Sequence, residues 1–304
     1  MSAANHSPDT SPFSLDQPQA YARWREGRLA AHATPPAVIP IADMTAPDSQ
    51  AVAQLLQQCR ARNYAIWRCP EPPAEPAPAL LAFTRALGLE GPDRNLCSAE
   101  DGLTPITVRE TGTDNSYIPY TDRPLGWHTD GYYNPADYQV RAWLLYCARP
   151  AAEGGDNELL DHEVAYIRLR DQNPEWIRAL MAPDALTIPA NMESGAGARP
   201  AQSGPVFSVS PRDGALHMRY SARQRNVIWK DDAVTRAAAD ALLGLFRAGD
   251  ALVVRHRLQR GEGIVSNNVL HRREGFRDDP TGRHKRLLFR ARYYRRLPEP
   301  SAAA

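Results

Sequence analysis

The sequence predicts a mainly β protein with inserted helices, a double-stranded β-helix or jelly roll, and three observations point to it. Short apolar or alternating runs recur along the chain, turn residues separate them, and helical patterns sit in insertions rather than after every strand. With 304 residues the chain can build one enlarged β domain. The expected division is a flexible segment over 1–35, a single jelly-roll domain over 36–297 and a flexible tail over 298–304.

Taken in order, residues 2–18 are rich in Ser, Pro, Asp and Asn and carry too little apolar surface to order themselves. Val38-Ile39-Pro40-Ile41 reads as an edge strand, because proline removes a ladder donor. Over 48–62, Val52, Leu55, Leu56 and Cys59 fall at helical spacing behind an Asp or Ser cap, and Tyr64-Ala65-Ile66-Trp67 follows as a buried strand. Five prolines between 70 and 78 predict a stiff connection, with helix over 79–87 and a stop at Gly88. Strands are expected at 106–108, 140–146, 206–209, 216–220, 252–256, 263–266 and 287–294, and helices at 162–171, 175–181 and 233–246. Residues 189–200 carry little secondary-structure signal and are expected to form a lid that orders when ligands bind.

Thirty-six Lys and Arg against 35 Asp and Glu give a net charge of +1, which argues against a broad electrostatic footprint. The expected partner is therefore a small molecule, with no nucleic acid and no membrane, and the composition is compatible with a homo-oligomer. No apolar run approaches the ~20 residues of a membrane span, and residues 1–12 lack the basic-then-apolar layout of an export signal. Cys59, Cys69, Cys97 and Cys147 show no Cys-x-x-Cys spacing. They fit packing roles in a reducing compartment, and the expected location is cytoplasmic.

The densest chemistry lies in Trp127-His128-Thr129-Asp130-Gly131, where a His and an Asp two apart in extended backbone project to one side. A His-x-acid pair alone arises about once by chance in such a chain. The order of the further parts gives it weight: Gly154-Gly155-Asp156-Asn157, then the isolated His271 after an apolar run, then Arg286 and Arg290, four apart and so on one strand face. Two imidazoles and a carboxylate on one face of an octahedral ion leave three positions open, the arrangement of non-haem iron(II) oxygenases.

On Trp-His-Thr-Asp, Gly-Gly-Asp-x, Asn-x-x-x-His and Arg-Leu-Leu-x-Arg, the chain resembles the taurine dioxygenase-like (TauD/TfdA) superfamily of iron(II)/2-oxoglutarate oxygenases over residues 105–295. Tyr133, Asp161 and the run 165–175 make the core most like the γ-butyrobetaine hydroxylase branch, without that branch's N-terminal zinc-binding domain. The resemblance implies that His128, Asp130 and His271 hold Fe(II) as the catalytic centre. It implies 2-oxoglutarate and dioxygen as co-substrates, with succinate and carbon dioxide released as a small polar or anionic metabolite is oxidised. Arg286 is implied as the fork for the distal carboxylate. Asn157 stands where the family often has a hydroxyl residue, and Arg290 supports the co-substrate or grips an anionic substrate. The retained Asp130 favours hydroxylation, or else desaturation or oxidative cleavage, over halogenation. Gly131 either permits a turn or keeps space clear above the metal.

For the substrate, Tyr132, Tyr133 and Tyr138 offer an aromatic wall, or ordinary packing. Arg219 and Arg223, in the arginine-rich run 218–225, offer an anion site, or a solvated loop. Asp161-His162-Glu163 reads as a capped helix start rather than a metal site, and His217 and His256 as packing residues. Two other classes stay open at this point: a non-catalytic metal-containing jelly roll that binds a small acid, and a metal-dependent hydrolase, which needs neither dioxygen nor 2-oxoglutarate.

Overall fold

The computed structural model describes residues 11–94, 98–109, 117–192, 198–281 and 285–298. The chain begins with α1 (Pro18–Ala31), β1 (Val38–Pro40), α2 (Ser49–Arg62), β2 (Tyr64–Arg68), α3 (Pro76–Ala86), β3 (Thr104–Ile106), β4 (Leu125–His128), β5 (Ala142–Arg149), β6 (Glu153–Gly154) and β7 (Asn157–Leu160). A helical insertion follows: α4 (His162–Gln172), α5 (Pro174–Leu180), β8 (Leu186–Ile188), β9 (Gln202–Gly204), β10 (Phe207–Val209), β11 (Leu216–Met218), β12 (Ile228–Trp229) and α6 (Ala233–Ala248). The chain returns through β13 (Val254–His256), β14 (Glu262–Ser266), β15 (Leu270–Arg273), β16 (Phe276–Arg277) and β17 (Leu287–Tyr293).

Two sheets face each other as in a jelly roll. One has six strands in the order β1-β2-β14-β5-β17-β3, and the other four in the order β13-β7-β15-β4. Period-two alternation sorts the six-stranded sheet into two faces. Ala65, Trp67, Leu144, Tyr146, Val265, Ala291 and Tyr293 pack outward against Leu55, Cys59, Leu80 and Phe83 of α2 and α3. Tyr64, Ile66, Trp143, Ile264 and Leu288 turn inward with Leu159 of the second sheet. The insertion between β7 and β13, which pair with each other, builds its own core from α4, α5, α6, β10 and β11.

Local chemistry fixes the helix ends. Asp48 caps α2 by accepting from the Gln50 and Ala51 amides, and Asn63, at φ 61°, ends it. Helix α3 starts at Pro76, three residues ahead of the expected 79, with two prolines in its first turn. Proline is tolerated there because those N–H groups have no intrahelical partner.

The expectation of a flexible 1–35 is corrected from residue 11 onward; residues 1–10 lie outside the described residues. Phe13 is buried against Trp24 and Tyr166, and Arg170 donates to the carbonyls of Pro12 and Ser14. Helix α1 is amphipathic only weakly; Tyr21 and Trp24 pack against this core, and Arg28 pairs with Asp161 and Glu163. Of the expected lid, residues 193–197 lie outside the described residues, while Asn191 and Arg199 form an antiparallel bridge at its base. Cys59, Cys69 and Cys147 are buried free thiols; Cys97 lies outside the described residues. Among the described residues no helix is long and apolar enough to cross a membrane.

Candidate metal centre and co-substrate pocket

His128 closes β4 and His271 lies directly opposite it on β15, so antiparallel register alone brings the two rings to 4.2 Å between centroids. In each ring Nδ1 lies 2.9 Å from a backbone carbonyl two residues back, Gly126 for His128 and Val269 for His271. A carbonyl only accepts, so Nδ1 carries the proton and Nε2 presents its lone pair. The two Nε2 atoms lie 3.6 and 3.9 Å from Asp130 Oδ1, and donor atoms of all three residues fall within 4.8 Å of one another.

Asp130 is 5% exposed. Burial pushes its carboxyl up, but the Arg290 guanidinium beside it, with His128, His271 and Arg292, outweighs this and holds it well below the usual carboxylate range. Arg290 Nη1 lies 3.2 Å from each carboxylate oxygen and hydrogen-bonds Oδ1, leaving Oδ2 a buried acceptor without a hydrogen bond. Burial, followed by the charge of His128, lowers the His271 imidazole to about 3, keeping it the neutral form that binds metal. Two free imidazole lone pairs and an orphaned carboxylate oxygen fit a divalent iron.

The loop carrying Asp130 is fixed by a residue that sequence reasoning missed. Asn268 accepts from the Asp130 amide at 2.8 Å and donates to the carbonyls of Asp130 and Val140 at 2.9 and 2.7 Å, itself in the left-handed region at φ 60°. Its signal in the sequence is the Asn267-Asn268 pair, since Asn tolerates that backbone better than most residues. Gly131 resolves to a turn role: φ is +64°, and an added Cβ would lie 2.5 Å from Val140 Cγ2.

A cleft opens beside the metal ligands between the two sheets, with Trp143, Leu159 and Leu288 among its walls. Arg286 and Asn157 both line it. Arg286 is 4% exposed and burial lowers its guanidinium to about 10, with Cζ 4.8 Å from the centre of the Phe276 ring. Asn157 is buried and makes one long contact, from Nδ2 to the His256 carbonyl at 3.5 Å. Arg290 points to Asp130 rather than to the space beside Arg286.

The expected substrate residues divide. The Tyr132 hydroxyl accepts from Asn226 and the Tyr133 hydroxyl from Arg292, and the two rings meet edge-on at 5.2 Å. Arg199 lies over the Tyr133 ring at 5.5 Å, a contact with no sequence signal. Arg223 is half-buried on the same loop as Asn226. Arg219 goes elsewhere: it is 3% exposed and donates to the carbonyls of Gln202, Pro205, Leu186 and Gly204, so its guanidinium is spent on backbone and does not face the cleft. Asp161 caps α4 and lies in a buried network with His32 and Asn63, away from the metal ligands, in keeping with the helix-start reading.

A jelly roll with two histidines and an aspartate at one end, and a buried arginine deep in the same cleft, defines the iron(II)/2-oxoglutarate-dependent dioxygenases. The chain belongs to the taurine catabolism dioxygenase TauD, TfdA family, whose model matches residues 29–292. It is 34% identical over 211 residues to a uridine-5'-phosphate dioxygenase of Streptomyces sp, covering 66% of this chain and 72% of that one. A uridine-5'-phosphate dioxygenase of Amycolatopsis sp is 32% identical over 215 residues, covering 62% and 73%. Among solved structures, asparagine oxygenase in complex with Fe(II), 2S,3S-3-hydroxyasparagine and succinate superposes with TM-score 0.58 at 20% identity, over 96% of this chain and 88% of that chain. The non-heme iron oxygenase OrfP in complex with Fe and alpha-ketoglutaric acid gives TM-score 0.60 at 18% identity, over 81% and 80%. The latter two share the fold. The protein is thus an enzyme that uses iron(II), 2-oxoglutarate and dioxygen, and the hydrolase and non-catalytic readings fall away.

Proposed function

We propose that the enzyme hydroxylates a small anionic metabolite, and that its substrate class is a nucleoside 5'-monophosphate. The supporting observation is the pair of relatives above 30% identity that are both named for uridine-5'-phosphate. In this reading His128, Asp130 and His271 hold iron(II), Arg286 receives the distal carboxylate of 2-oxoglutarate, and the Asn157 amide donates to the same ligand. When bound, the iron couples decarboxylation of 2-oxoglutarate, to succinate and carbon dioxide, to transfer of one oxygen atom of dioxygen into a substrate C–H bond. Arg290 holds the Asp130 carboxylate in its ligating orientation.

Tyr132 and Tyr133 form the wall of the substrate side, and Arg199 and Arg223 stand on that side to meet a phosphate. The finer likeness to the γ-butyrobetaine hydroxylase branch rests on Tyr133, Asp161 and the run 165–175 of the sequence. Substrate-stimulated succinate release tests the proposal. Stimulation by uridine-5'-phosphate and not by uridine supports it; stimulation by an uncharged nucleoside or a free amino acid in preference to any nucleotide overturns it.

A further inference from the structure

We propose that Arg273 is a second co-substrate-binding residue, whose guanidinium joins that of Arg286 in gripping the distal carboxylate of 2-oxoglutarate. The inference rests on the reading of Arg286 above and extends it to a residue of a different strand. Arg273 lies on β15 two positions past His271, is 6% exposed, and lines the same cleft as Arg286, His271 and Asn157. Its Nη1 and Nη2 are committed, donating to the carbonyls of Pro119, Thr121 and Arg123. Those bonds fix the plane of the guanidinium, while Nε is left as a buried donor without an acceptor.

The second observation is the pairing of two cations on one ring. Arg273 and Arg286 each place Cζ 4.8 Å from the centre of the Phe276 ring. Among the described residues no carboxylate forms a salt bridge with either guanidinium. Buried charges without counter-ions are costly, and an orphaned donor adds to that cost. A ligand carboxylate removes both: its two oxygens offer about four lone-pair sites, enough for the fork of Arg286 and the Nε–H of Arg273. A role limited to tying the 119–123 wall to β15 accounts for Nη1 and Nη2 but leaves Nε unexplained.

The test is anaerobic titration of the iron(II)-loaded protein, followed by the visible charge-transfer band of the chelate, with two ligands. 2-Oxoglutarate carries the distal carboxylate, and 2-oxopentanoate is the same chain without it. Arg273→Gln is expected to weaken 2-oxoglutarate by about tenfold or more, the worth of one charge-assisted hydrogen bond, while 2-oxopentanoate stays within about twofold of wild type. Arg273→Lys keeps a cation for the wall carbonyls but lacks Nε–H, and shows the same selective weakening if Arg273→Gln fails to fold. Equal weakening of both ligands, or no change in either, overturns the proposal. No band in wild type with 2-oxoglutarate would instead overturn the co-substrate reading itself, and the two failures are thereby told apart.

Discussion

Asn268 fixes the backbone from which the Asp130 carboxylate hangs, through three buried hydrogen bonds. Replacing it with Ala unpairs two carbonyls and an amide and leaves Ala at φ 60°, which Asn tolerates better, so Asn268→Ala is expected to cost about 2–4 kcal/mol in denaturant unfolding. Iron affinity is expected to fall about 10- to 100-fold, the usual effect of losing a ligand's supporting partner. Gly131→Ala forces an L side chain to φ +64° against Val140. The expected loss is about 1–3 kcal/mol, read as a lowered melting temperature. Legibility at this scale follows chemistry: His128, Asp130, His271 and Arg286 stood out because their types and order are unusual together. Asn268 reads in sequence as an ordinary turn former, and nothing in either arginine-rich run separates Arg219, which serves carbonyls, from Arg286, which lines the cleft.

At the scale of elements, the strongest example is the junction of α1 with α2 and α4. Arg28 donates to the carbonyls of Arg60 and Ala61 and pairs with Asp161 and Glu163, while His32 Nε2 lies 3.0 Å from Asp161 Oδ2. Asp161 also accepts from Asn63 and caps α4 through the Glu163 amide. Removing one partner of such a network leaves a carboxylate buried and unpaired, so Arg28→Met is expected to destabilise by about 3–5 kcal/mol. The iron(II)/2-oxoglutarate band should persist in the folded variant, since the network lies outside the cleft. Composition hid this element, because α1 is tied down by charge partners and two aromatic contacts rather than by a continuous apolar stripe. The same blindness applies to β4, β7 and β15. Leu-Gly-Trp-His, Asn-Glu-Leu-Leu and Leu-His-Arg-Arg break period two where polar members turn toward the site. The long apolar strands β2, β5, β14 and β17, which face packed layers on both sides, were visible.

For the molecule as a whole, buried histidines set the acid limit of stability. Burial lowers His162 to about 4 and, with the charge of Arg141, holds His217 well below its ordinary value. The unfolded chain takes up these protons near pH 6.5 whereas the folded one refuses them, so the unfolded state binds more protons as pH falls. Stability is therefore full above about pH 6.5 and declines toward pH 4, with a slope of about 1.4 kcal/mol per pH unit for each proton. Unfolding free energies measured across that interval check it, and a flat profile in the wild type would remove the histidines as its cause.

Arg286, just ahead of β17, and Leu288 and Arg290 within it lie at even positions on the side of the cleft, while Phe289, Ala291 and Tyr293 at odd positions lie in the layer under α2 and α3. Chemistry and cohesion are thus written in one strand as two interleaved messages. A scan along it would alternate, with even positions altering ligand and metal behaviour and odd ones altering melting. A single inserted residue would exchange the two messages at once, which makes this strand more sensitive to a change of length than to a substitution, whose effect stays on one side.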